Sequence, residues 1–453
     1  MRIGIIGAGM SGLALAHRLG TAGHSISVFE KAEQPGGLAT YQDHGEFVFD
    51  RFYHVILPTD RHLIGFINDI GLADRLSWRK TMTGFFVDRA IHSVSNALEY
   101  LRFPPLSLWS KIRLGFTILY CSRIENWKRL ERITVEDWLI RLSGKATYEK
   151  LWKPLLLAKL GQNYRRVSAV FIWTYIKRMF SARDSSASRE QLGYVRGGYK
   201  TVFDRLESVI GSTGGSLNLG ITVSRVSAAA QGGIDVVTDR GTSHFDKVIF
   251  TGPVDVLQSV VDPSLVAVEH SGKNVEYLGV LCMALITTRE LTPFYVLNIA
   301  DDRIPFTGVI GMSSVVDLQD TNGRYLTYLP KYVLSTEEEL RRPEAELQKE
   351  FLAGLRLIYP DLSDSEIVSS KIYRAFKVQP LQIIDFSKQI PKQETLHPDF
   401  FVLNTAQFVK NTLNNNEVVR AVDEFVERHK ASFETESGKP SSTIRGSVTG
   451  VNR

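Results

Sequence analysis

The chain of 453 residues has few cysteines, no dominant charge and no long apolar run. Its two cysteines, Cys121 and Cys282, form neither a C-x-x-C pair nor a zinc-ligand spacing, which predicts reduced, buried thiols in a cytoplasmic protein. A net charge of +5 without a dense Lys/Arg block gives no support for nucleic-acid binding. No uncharged apolar run reaches about 18 residues, and glycines interrupt the apolar N-terminus, so we predict neither a membrane-spanning helix nor a signal peptide. No HExxH motif or ligand cluster predicts a metal site.

The chain opens on MRIGIIGAGMSGLALAHRL, in which three glycines follow a short apolar run. Ile3–Ile6 predicts a buried strand, Ser11–Leu19 a helix and Ser25–Glu30 a second strand. A strand–turn–helix–strand unit of about 30 residues is the usual start of a doubly wound parallel sheet. We therefore predict an α/β fold with a dinucleotide at the first turn.

The three glycines have the spacing of a phosphate-binding loop. Gly7 permits a sharp turn, Gly9 lets the backbone approach a pyrophosphate, and Gly12 lets the helix pack on the strand. The free N–H groups of the helix N-terminus then face the phosphates. Glu30, at the end of the second strand, is placed to accept hydrogen bonds from both ribose hydroxyls, and it would repel a 2′-phosphate. These residues favour NAD or FAD over NADP.

The stretch GIIGAGMSGLALAHRLGTAGHSISVFEKAEQPGGLAT resembles the flavin amine oxidase superfamily, which includes protoporphyrinogen oxidases, phytoene desaturases, monoamine oxidases and UDP-galactopyranose mutases. The shared marks are the glycine loop, the acidic residue Glu30 and the Gly36-Gly37 pair. The resemblance implies tightly held, non-covalent FAD in a Rossmann-like (GR2-type) domain, into which a helical part and an α+β substrate domain are inserted. It implies these cofactor-binding residues: Gly7, Ala8, Gly9, Met10, Ser11, Gly12, Glu30, Lys31, Gly36, Gly37, Leu38 and Ala39.

The resemblance continues in later segments. YVRGGYKTVFDRL is similar to the return into the flavin domain, and GITVSRV to the strand whose valine, here Val223, holds adenine through its backbone. Leu38 stands where the family often has arginine. The C-terminal flavin motif usually begins Gly-Asp, whereas this chain reads FFVLNTAQFVKNTLNNN, which leaves Asn404 as the candidate contact at that place.

The predicted organisation is discontinuous. Residues 1–90, 190–260 and 391–430 form the FAD-binding domain, 91–189 a helical insertion and 261–390 the substrate domain, while 431–453 form a disordered tail. Within this scheme Thr40–Gln42 and Phe47–Phe49 predict a hairpin, and the chain from Asp60 to about Arg183 is predicted to be mostly helical.

Candidates for the chemistry come mainly from the resemblance. FDRFYHVILPTDRH is similar to the flavin-side region of UDP-galactopyranose mutases and of the oxidases, which implies that Tyr53 and His54 lie against the flavin. His54 is a candidate proton relay, or equally a packed structural histidine. Lys331 and Lys377 are candidate lysines near the flavin, the alternative being surface lysines on strand ends. Tyr328 and Tyr332 belong, with Lys331, to the presumed substrate region. Arg165, Arg166 and Arg178 are candidates for binding a diphosphate-bearing substrate, the alternative being solvated surface charges.

The expected function is two-electron oxidation of a C–N or C–C bond in a small or lipophilic molecule by an FAD-dependent oxidoreductase. One alternative is an enzyme similar to UDP-galactopyranose mutase that acts on a nucleotide sugar without net redox change. Another is a flavin-free binding protein on the same fold, as in the Rab GDP-dissociation inhibitors. LRFPPLSLWSKIRLGFTILY mixes large apolar residues with cations, so it is either an ordinary helix or a peripheral membrane contact.

Overall fold

The computed structural model describes residues 1–181, 190–267 and 271–434. Its strands are β1 (Arg2–Ile6), β2 (Ser25–Phe29), β3 (Tyr41–Asp43), β4 (Val48–Asp50), β5 (Leu76–Lys80), β6 (Thr83–Val87), β7 (Ala90–Ser93), β8 (Gln191–Val195), β9 (Ser216–Asn218), β10 (Val223–Ala228), β11 (Ile234–Thr238), β12 (Gly241–Phe245), β13 (Lys247–Phe250), β14 (Tyr277–Thr287), β15 (Val296–Ile299), β16 (Gly308–Gly311), β17 (Tyr325–Leu334), β18 (Ile367–Pro380) and β19 (Phe400–Val402). Its helices are α1 (Met10–Thr21), α2 (Arg61–Asp69), α3 (Ala97–Arg102), α4 (Leu108–Arg123), α5 (Trp127–Leu130), α6 (Val135–Ser143), α7 (Lys145–Thr147), α8 (Lys153–Leu160), α9 (Ala169–Ser181), α10 (Gly198–Ser212), α11 (Val254–Val260), α12 (Glu344–Ile358), α13 (Asn415–Arg428) and α14 (Lys430–Phe433).

A parallel five-stranded sheet of order β19-β13-β1-β2-β9 carries the N-terminal glycine loop. Its central strands are apolar on both faces, and Ile3, Ile5 and Val28 are fully buried, as expected where helices and a second sheet cover a parallel sheet. Helices α1, α10 and α13 pack together on one face. The antiparallel sheet β10-β11-β12 shares the apolar core of the other face. The predicted doubly wound α/β fold is confirmed.

A mixed seven-stranded sheet of order β18-β14-β17-β16-β15-β6-β7 forms the second layer. All eleven residues of β14 are buried, because α12 covers one face and the opposite face packs toward β4 and β8. Side chains alternate between these two faces along each strand. Along β17, Leu329 and Val333 therefore face the α12 side, and Tyr328 and Tyr332 face the nucleotide-binding side. This alternation decides which residues of β17 reach the candidate site.

A helical part, built from α4, α6, α8 and α9, packs around a core that includes Trp138, Trp152 and Trp173. Side chains cap two of these helices: Thr134 accepts a hydrogen bond from the N–H of Asp137 at the start of α6, and Ser107 accepts one from Ser110 at the start of α4. None of the helices in the described ranges is long and apolar enough to cross a membrane.

The prediction that residues 60 to 183 are mostly helical was wrong for residues 76–93, which form β5, β6 and β7. Strands β6 and β7 form a hairpin whose turn residues Asp88 and Arg89 have φ of 52° and 64°, a left-handed turn without the glycine that usually marks it. This hairpin adds to the seven-stranded sheet, so residues 83–93 pair with that sheet and not with the five-stranded sheet that carries the glycine loop.

Two other boundaries differ in detail. The predicted hairpin is shifted by one residue to Tyr41–Asp43 and Val48–Asp50. The predicted disordered tail begins too early, since α14 extends to Phe433, which is buried in the same core as α1. Residues 435–453 lie outside the described ranges. Cys121 and Cys282 are both buried and free, as predicted.

Candidate functional site

The N-terminal glycine loop has the geometry that the sequence predicts. Gly7 has φ of 108°, a left-handed conformation suited to glycine, and its N–H donates to Phe29 O at 2.8 Å. A Cβ on Gly12 would lie 1.9 Å from Gly7 O, so α1 crosses β1 too closely for any side chain there. A Cβ on Gly9 would find only Gly37 Cα within 4 Å, at 3.9 Å. The space beside Gly9 is therefore an open cradle at the N-terminus of α1.

The Gly36-Gly37 pair forms the second wall of this cradle. Gly36 N donates to Ala8 O at 2.8 Å, and both glycines have positive φ, 115° and 57°. A Cβ on Gly36 would lie 2.5 Å from the Phe203 ring. Backbone thus faces backbone on both sides of the cradle, which fits a pyrophosphate that needs N–H donors and no intervening side chains.

The Glu30 carboxylate holds the end of the cradle. Its two oxygens accept from the N–H groups of Ala8 and Ala32, each at 2.9 Å. Glu30 O also accepts from the N–H of Ile221 at 2.9 Å, which places β10 and its first residue Val223 beside the second strand. Since each carboxylate oxygen has a second lone pair, Glu30 keeps acceptor capacity for a ribose hydroxyl.

The remaining residues predicted around the cradle differ in exposure. Ala8, Met10 and Ala39 are buried and pack the loop, Ser11 and Leu38 are half-buried, and Lys31 is exposed. Ser11, Lys31 and Leu38 are the residues of this set that have accessible side-chain surface.

Ring contacts lead from the cradle toward the second sheet. Phe203, which faces Gly36, has its ring 6.0 Å from that of Tyr199, and the Tyr199 ring meets the His54 ring edge-on at 5.4 Å. Asp50 is buried beneath them and accepts from the N–H of Tyr199 at 2.7 Å. Burial raises the pKa of Asp50 to about 8, so this carboxyl is mostly protonated at neutral pH.

His54 is held by the backbone. Its Nδ1 lies 2.9 Å from Phe52 O, so Nδ1 carries the proton that it donates, and Nε2 is left as an acceptor. Burial lowers the pKa of His54 to about 4. The ring is therefore neutral at physiological pH, and its chemistry is that of a hydrogen-bond acceptor rather than of a titrating relay between pH 5 and 8.

Beyond His54 lies a cluster of phenols. Tyr53 from the nucleotide-binding side and Tyr332 from β17 join their hydroxyls at 2.7 Å, and Tyr175, Tyr295 and Tyr328 stand near them. Desolvation by burial raises the pKa of every one of these phenols. All five therefore stay protonated at neutral pH; Tyr328 is fully buried and the other four are half-buried.

A lysine that the sequence analysis did not single out completes this cluster. Lys159 of α8 places its Nζ 3.2 Å from the centre of the Tyr332 ring. Burial lowers its pKa to about 7, so a neutral amine and an ammonium are both populated at neutral pH. The signal in the sequence is its spacing, since Lys159 lies three residues after Leu156 and next to Leu160 on a helix whose only other charged residue is Lys153 at its first position.

The structure does not bring the two lysines proposed from sequence into the cluster. Lys331 is adjacent to Tyr332 in β17 but lies on the opposite face, where its Nζ pairs with Glu339 at 2.6 Å. Lys377 of β18 pairs with Asp255 of α11. Among the three arginines, Arg165 and Arg166 are exposed, whereas Arg178 is half-buried beside the phenols and donates to Asp60 at 2.9 Å.

Asn404 holds the chain at the end of β19. Its side chain accepts from the N–H of Ala406 at 2.7 Å and donates to Gly252 O, and it is only 2% exposed. This position joins the ends of β13 and β19 near the cradle. A flavin contact by the Asn404 side chain stays a prediction, and the observed bonds account for it as a structural residue.

A cavity of about 1410 Å³ lies between α8 and α12 and is bordered on β17 by Lys331, Tyr332 and Val333. Its walls include Leu157, Gly354, Phe306 and Asp301. The volume is ample for a small organic molecule. Lys331, the lysine predicted from the sequence, and its ion-pair partner Glu350 also line this cavity.

Comparison with known proteins gives a family and a fold. The sequence model of the family described as flavin containing amine oxidoreductase matches residues 10–374. The flavin-dependent L-tryptophan oxidase RebO of Lentzea aerocolonigenes is 32% identical over 117 residues, which is 25% of this chain and about a quarter (24%) of that protein. The 15-cis-phytoene desaturase of Arabidopsis thaliana is 21% identical over 430 residues, 88% of this chain and 73% of that protein.

Solved structures share the fold. A putative protoporphyrinogen oxidase from Exiguobacterium sp. 255-15 has a TM-score of 0.74 at 16% identity, covering 95% of this chain and 98% of that chain. A reduced UDP-galactopyranose mutase has a TM-score of 0.67 at 16% identity, covering 95% and 97%. At these identities the likeness concerns the fold alone.

Proposed function

Because the chain belongs to the family of flavin containing amine oxidoreductases and is an FAD-dependent oxidoreductase, we propose that it oxidises a small molecule by two electrons at the Tyr53–Tyr332 pair. The observation that carries this proposal is the path from the open cradle at Gly9, through Tyr199 and His54, to that pair. FAD, when bound, supplies the acceptor for a hydride from a C–N or C–C bond of the substrate.

The chain's own residues have separate roles in this proposal. The backbone at Gly9 and Gly37 and the N-terminus of α1 bind the pyrophosphate, and Glu30 and the backbone near Val223 bind the adenosine end. His54, neutral and fixed through Nδ1, presents Nε2 as an acceptor beside Tyr199. These residues fit the cofactor because no side chain occupies the cradle.

The substrate-facing groups are Tyr53, Tyr332 and Lys159. The enclosed phenols exclude water and orient the substrate through O–H donors. Lys159, populated as the free amine near pH 7, can accept a proton from a substrate N–H or O–H group while the hydride departs. The α8–α12 cavity gives the substrate a route to this end of the site.

An absorption spectrum of the purified protein, before and after anaerobic dithionite, tests the proposal first. We expect a yellow protein that bleaches and releases FAD on denaturation. Amines, isoprenoids, porphyrinogens and nucleotide sugars are then screened for substrate-dependent bleaching without dithionite. A colourless protein that takes up no added FAD would refute the proposal and leave a flavin-free binding protein.

A redox-neutral reaction on a nucleotide sugar is the second candidate. It is favoured by the Arg178 guanidinium, which lies near the phenols, pairs with Asp60 and brings a positive charge that would attract an anionic group of the substrate. Its test is the requirement for reductant: turnover that needs dithionite, with no net change in the flavin spectrum, would select this reaction over oxidation.

A further inference from the structure

Helix α4 carries two apolar faces, and only one of them is buried. Lys111, Leu114, Thr117 and Cys121 are buried against the helical part. The opposite side carries exposed residues spaced three, four or eight apart, as on one face of a helix. They are Leu108, Trp109, Ile112, Phe116, Leu119 and Tyr120, of which Trp109 and Phe116 are 71% and 68% exposed.

Helix α3 extends this apolar surface. Leu98 and Leu101 are 55% and 52% exposed. Eight of the fourteen large apolar side chains exposed in the described ranges thus lie between residues 98 and 120. A concentration of this kind on one surface marks an interaction site rather than the scattered exposure of an ordinary surface.

The two helices are fixed relative to one another. Lys111 Nζ donates to Leu101 O at 2.7 Å, and the Tyr100 hydroxyl donates to Lys111 O at 2.9 Å. Arg113 turns away from the exposed face and donates to Leu142 O at 2.7 Å. Lys111 and Arg113 therefore hold the helical part together and leave the exposed face apolar between Leu108 and Tyr120.

Exposed cations flank this surface along the chain, at the end of α3, at the end of α4 and in the segment that follows α4. The exposed basic side chains between residues 97 and 132 are Arg102, Arg123, Lys128, Arg129 and Arg132. In the same stretch, which the structure describes throughout, Glu125 is the only exposed acidic side chain. Large aromatic and aliphatic side chains beside a basic rim match the chemistry of an interfacial helix on an anionic bilayer.

We propose that the α3–α4 surface docks on an anionic lipid bilayer, with Trp109 and Phe116 in the headgroup region and the basic rim on the lipid phosphates. Trp109 favours this depth because its ring is apolar and its N–H is polar, whereas Phe116 adds an apolar ring that enters the boundary with the acyl chains. The charge balance of the rim favours a bilayer over a second copy of this chain, because two such surfaces face to face would bring like charges together. This inference is independent of the substrate and of the flavin chemistry.

Flotation of the full-length FAD-loaded protein with vesicles of phosphatidylcholine alone, and of phosphatidylcholine with 30% phosphatidylglycerol (a composition chosen for the assay), tests the proposal. We expect binding to the anionic vesicles, weakened at least tenfold in the triple variant Leu108→Ser, Trp109→Ser, Phe116→Ser. The matched control, Leu357→Ser with Leu396→Ser, removes two apolar side chains that are 51% and 63% exposed elsewhere and should bind as the parent does. The flavin spectrum of each variant verifies folding.

A second variant tests the basic rim. Arg123→Gln, Lys128→Gln and Arg129→Gln together should weaken binding to anionic vesicles and make the residual binding less sensitive to salt. Absence of binding by the parent to either vesicle, or equal loss in the control variant, would overturn the proposal. So would a parent that is dimeric in sedimentation while the serine variant is monomeric, since a second copy would then cover the surface.

Discussion

The Tyr53 hydroxyl lies 2.7 Å from the Tyr332 hydroxyl, so one hydrogen bond joins the segment after β4 to the centre of the seven-stranded sheet. Removing one hydroxyl leaves the other, on a half-buried side chain, without this partner. We expect Tyr53→Phe and Tyr332→Phe each to lower the free energy of unfolding by about 1–2 kcal/mol.

The double variant distinguishes this bond from unrelated packing effects. Because the bond is already lost in either single variant, the double variant should cost less than the two single changes together, with a coupling of about 0.5–1.5 kcal/mol. Denaturant unfolding of the four proteins measures this. Fully additive losses would show that the two phenols do not depend on each other.

Gly9→Ala separates cofactor binding from folding. The new Cβ meets no protein atom closer than 3.9 Å, and Gly9 has φ of −73°, which alanine adopts readily. We expect the apoprotein to change in stability by no more than about 1 kcal/mol, while FAD affinity falls at least tenfold because the methyl group occupies the cradle. Titration of apoprotein with FAD, followed by flavin fluorescence, measures the affinity.

Two glycine variants serve as controls for this prediction. Gly65→Ala in α2 places a Cβ where no atom lies within 4 Å and should leave FAD affinity unchanged. Gly12→Ala places a Cβ 1.9 Å from Gly7 O and should destabilise the protein itself, by about 3 kcal/mol or more. Normal FAD affinity in Gly9→Ala would contradict the position assigned to the pyrophosphate.

How much the sequence predicts depends on how local each feature is. The β1–α1–β2 unit follows from apolar periodicity and three glycines within about 30 residues, and the structure confirms it. The β6–β7 hairpin was missed because Asp88 and Arg89 adopt positive φ without glycine, and the pairing of β6 with β15 joins segments about 200 residues apart.

The candidate site shows the same difference between features set by local sequence and features set by tertiary packing. Once β17 is known to be a strand, its period of two places Tyr328 and Tyr332 on one face and Lys331 on the other, so the sequence already contained the argument against Lys331. Lys159 could not be assigned in this way, because its position depends on how α8 packs on β17. The lowered pKa of Lys159 is a property of that packing.

The protonation of Asp50 leads to a prediction about how the free energy of unfolding depends on pH. Its pKa of about 8 means that the folded protein binds a proton that the unfolded chain loses above about pH 4, so this residue makes stability fall as pH rises from about 4 to 8. Asp50→Asn resembles the protonated form and can still accept from the N–H of Tyr199. We expect Asp50→Asn to remove part of this decline, measured by denaturant unfolding across that pH range.

Asp50→Ala is the matched comparison, since it removes the acceptor as well as the charge. It should cost about 1–3 kcal/mol relative to Asp50→Asn because the Tyr199 N–H is left buried and unpaired. If Asn destabilised the protein as much as Ala at pH 7, the buried carboxyl would be acting as an anion, contrary to the prediction.

Lys159 contributes to the pH dependence of the free energy of unfolding in the opposite direction to Asp50. Its pKa is about 7 in the folded protein and about 10.4 in an unfolded chain, so the unfolded chain binds more protons between these values and stability rises with pH across them. Lys159→Met removes this dependence. We expect the variant to be more stable than the parent near pH 7, by a margin that shrinks toward pH 10, as measured by denaturant unfolding at fixed ionic strength.

Lys331→Met is the control. It removes the ion-paired lysine of β17 but keeps Lys159. The free energy of unfolding should therefore change with pH as it does in the parent, at a cost of about 0–1 kcal/mol. A parent and a Lys159→Met variant with parallel pH profiles would show that the amine remains charged and solvated, and would remove Lys159 from the substrate-facing cluster.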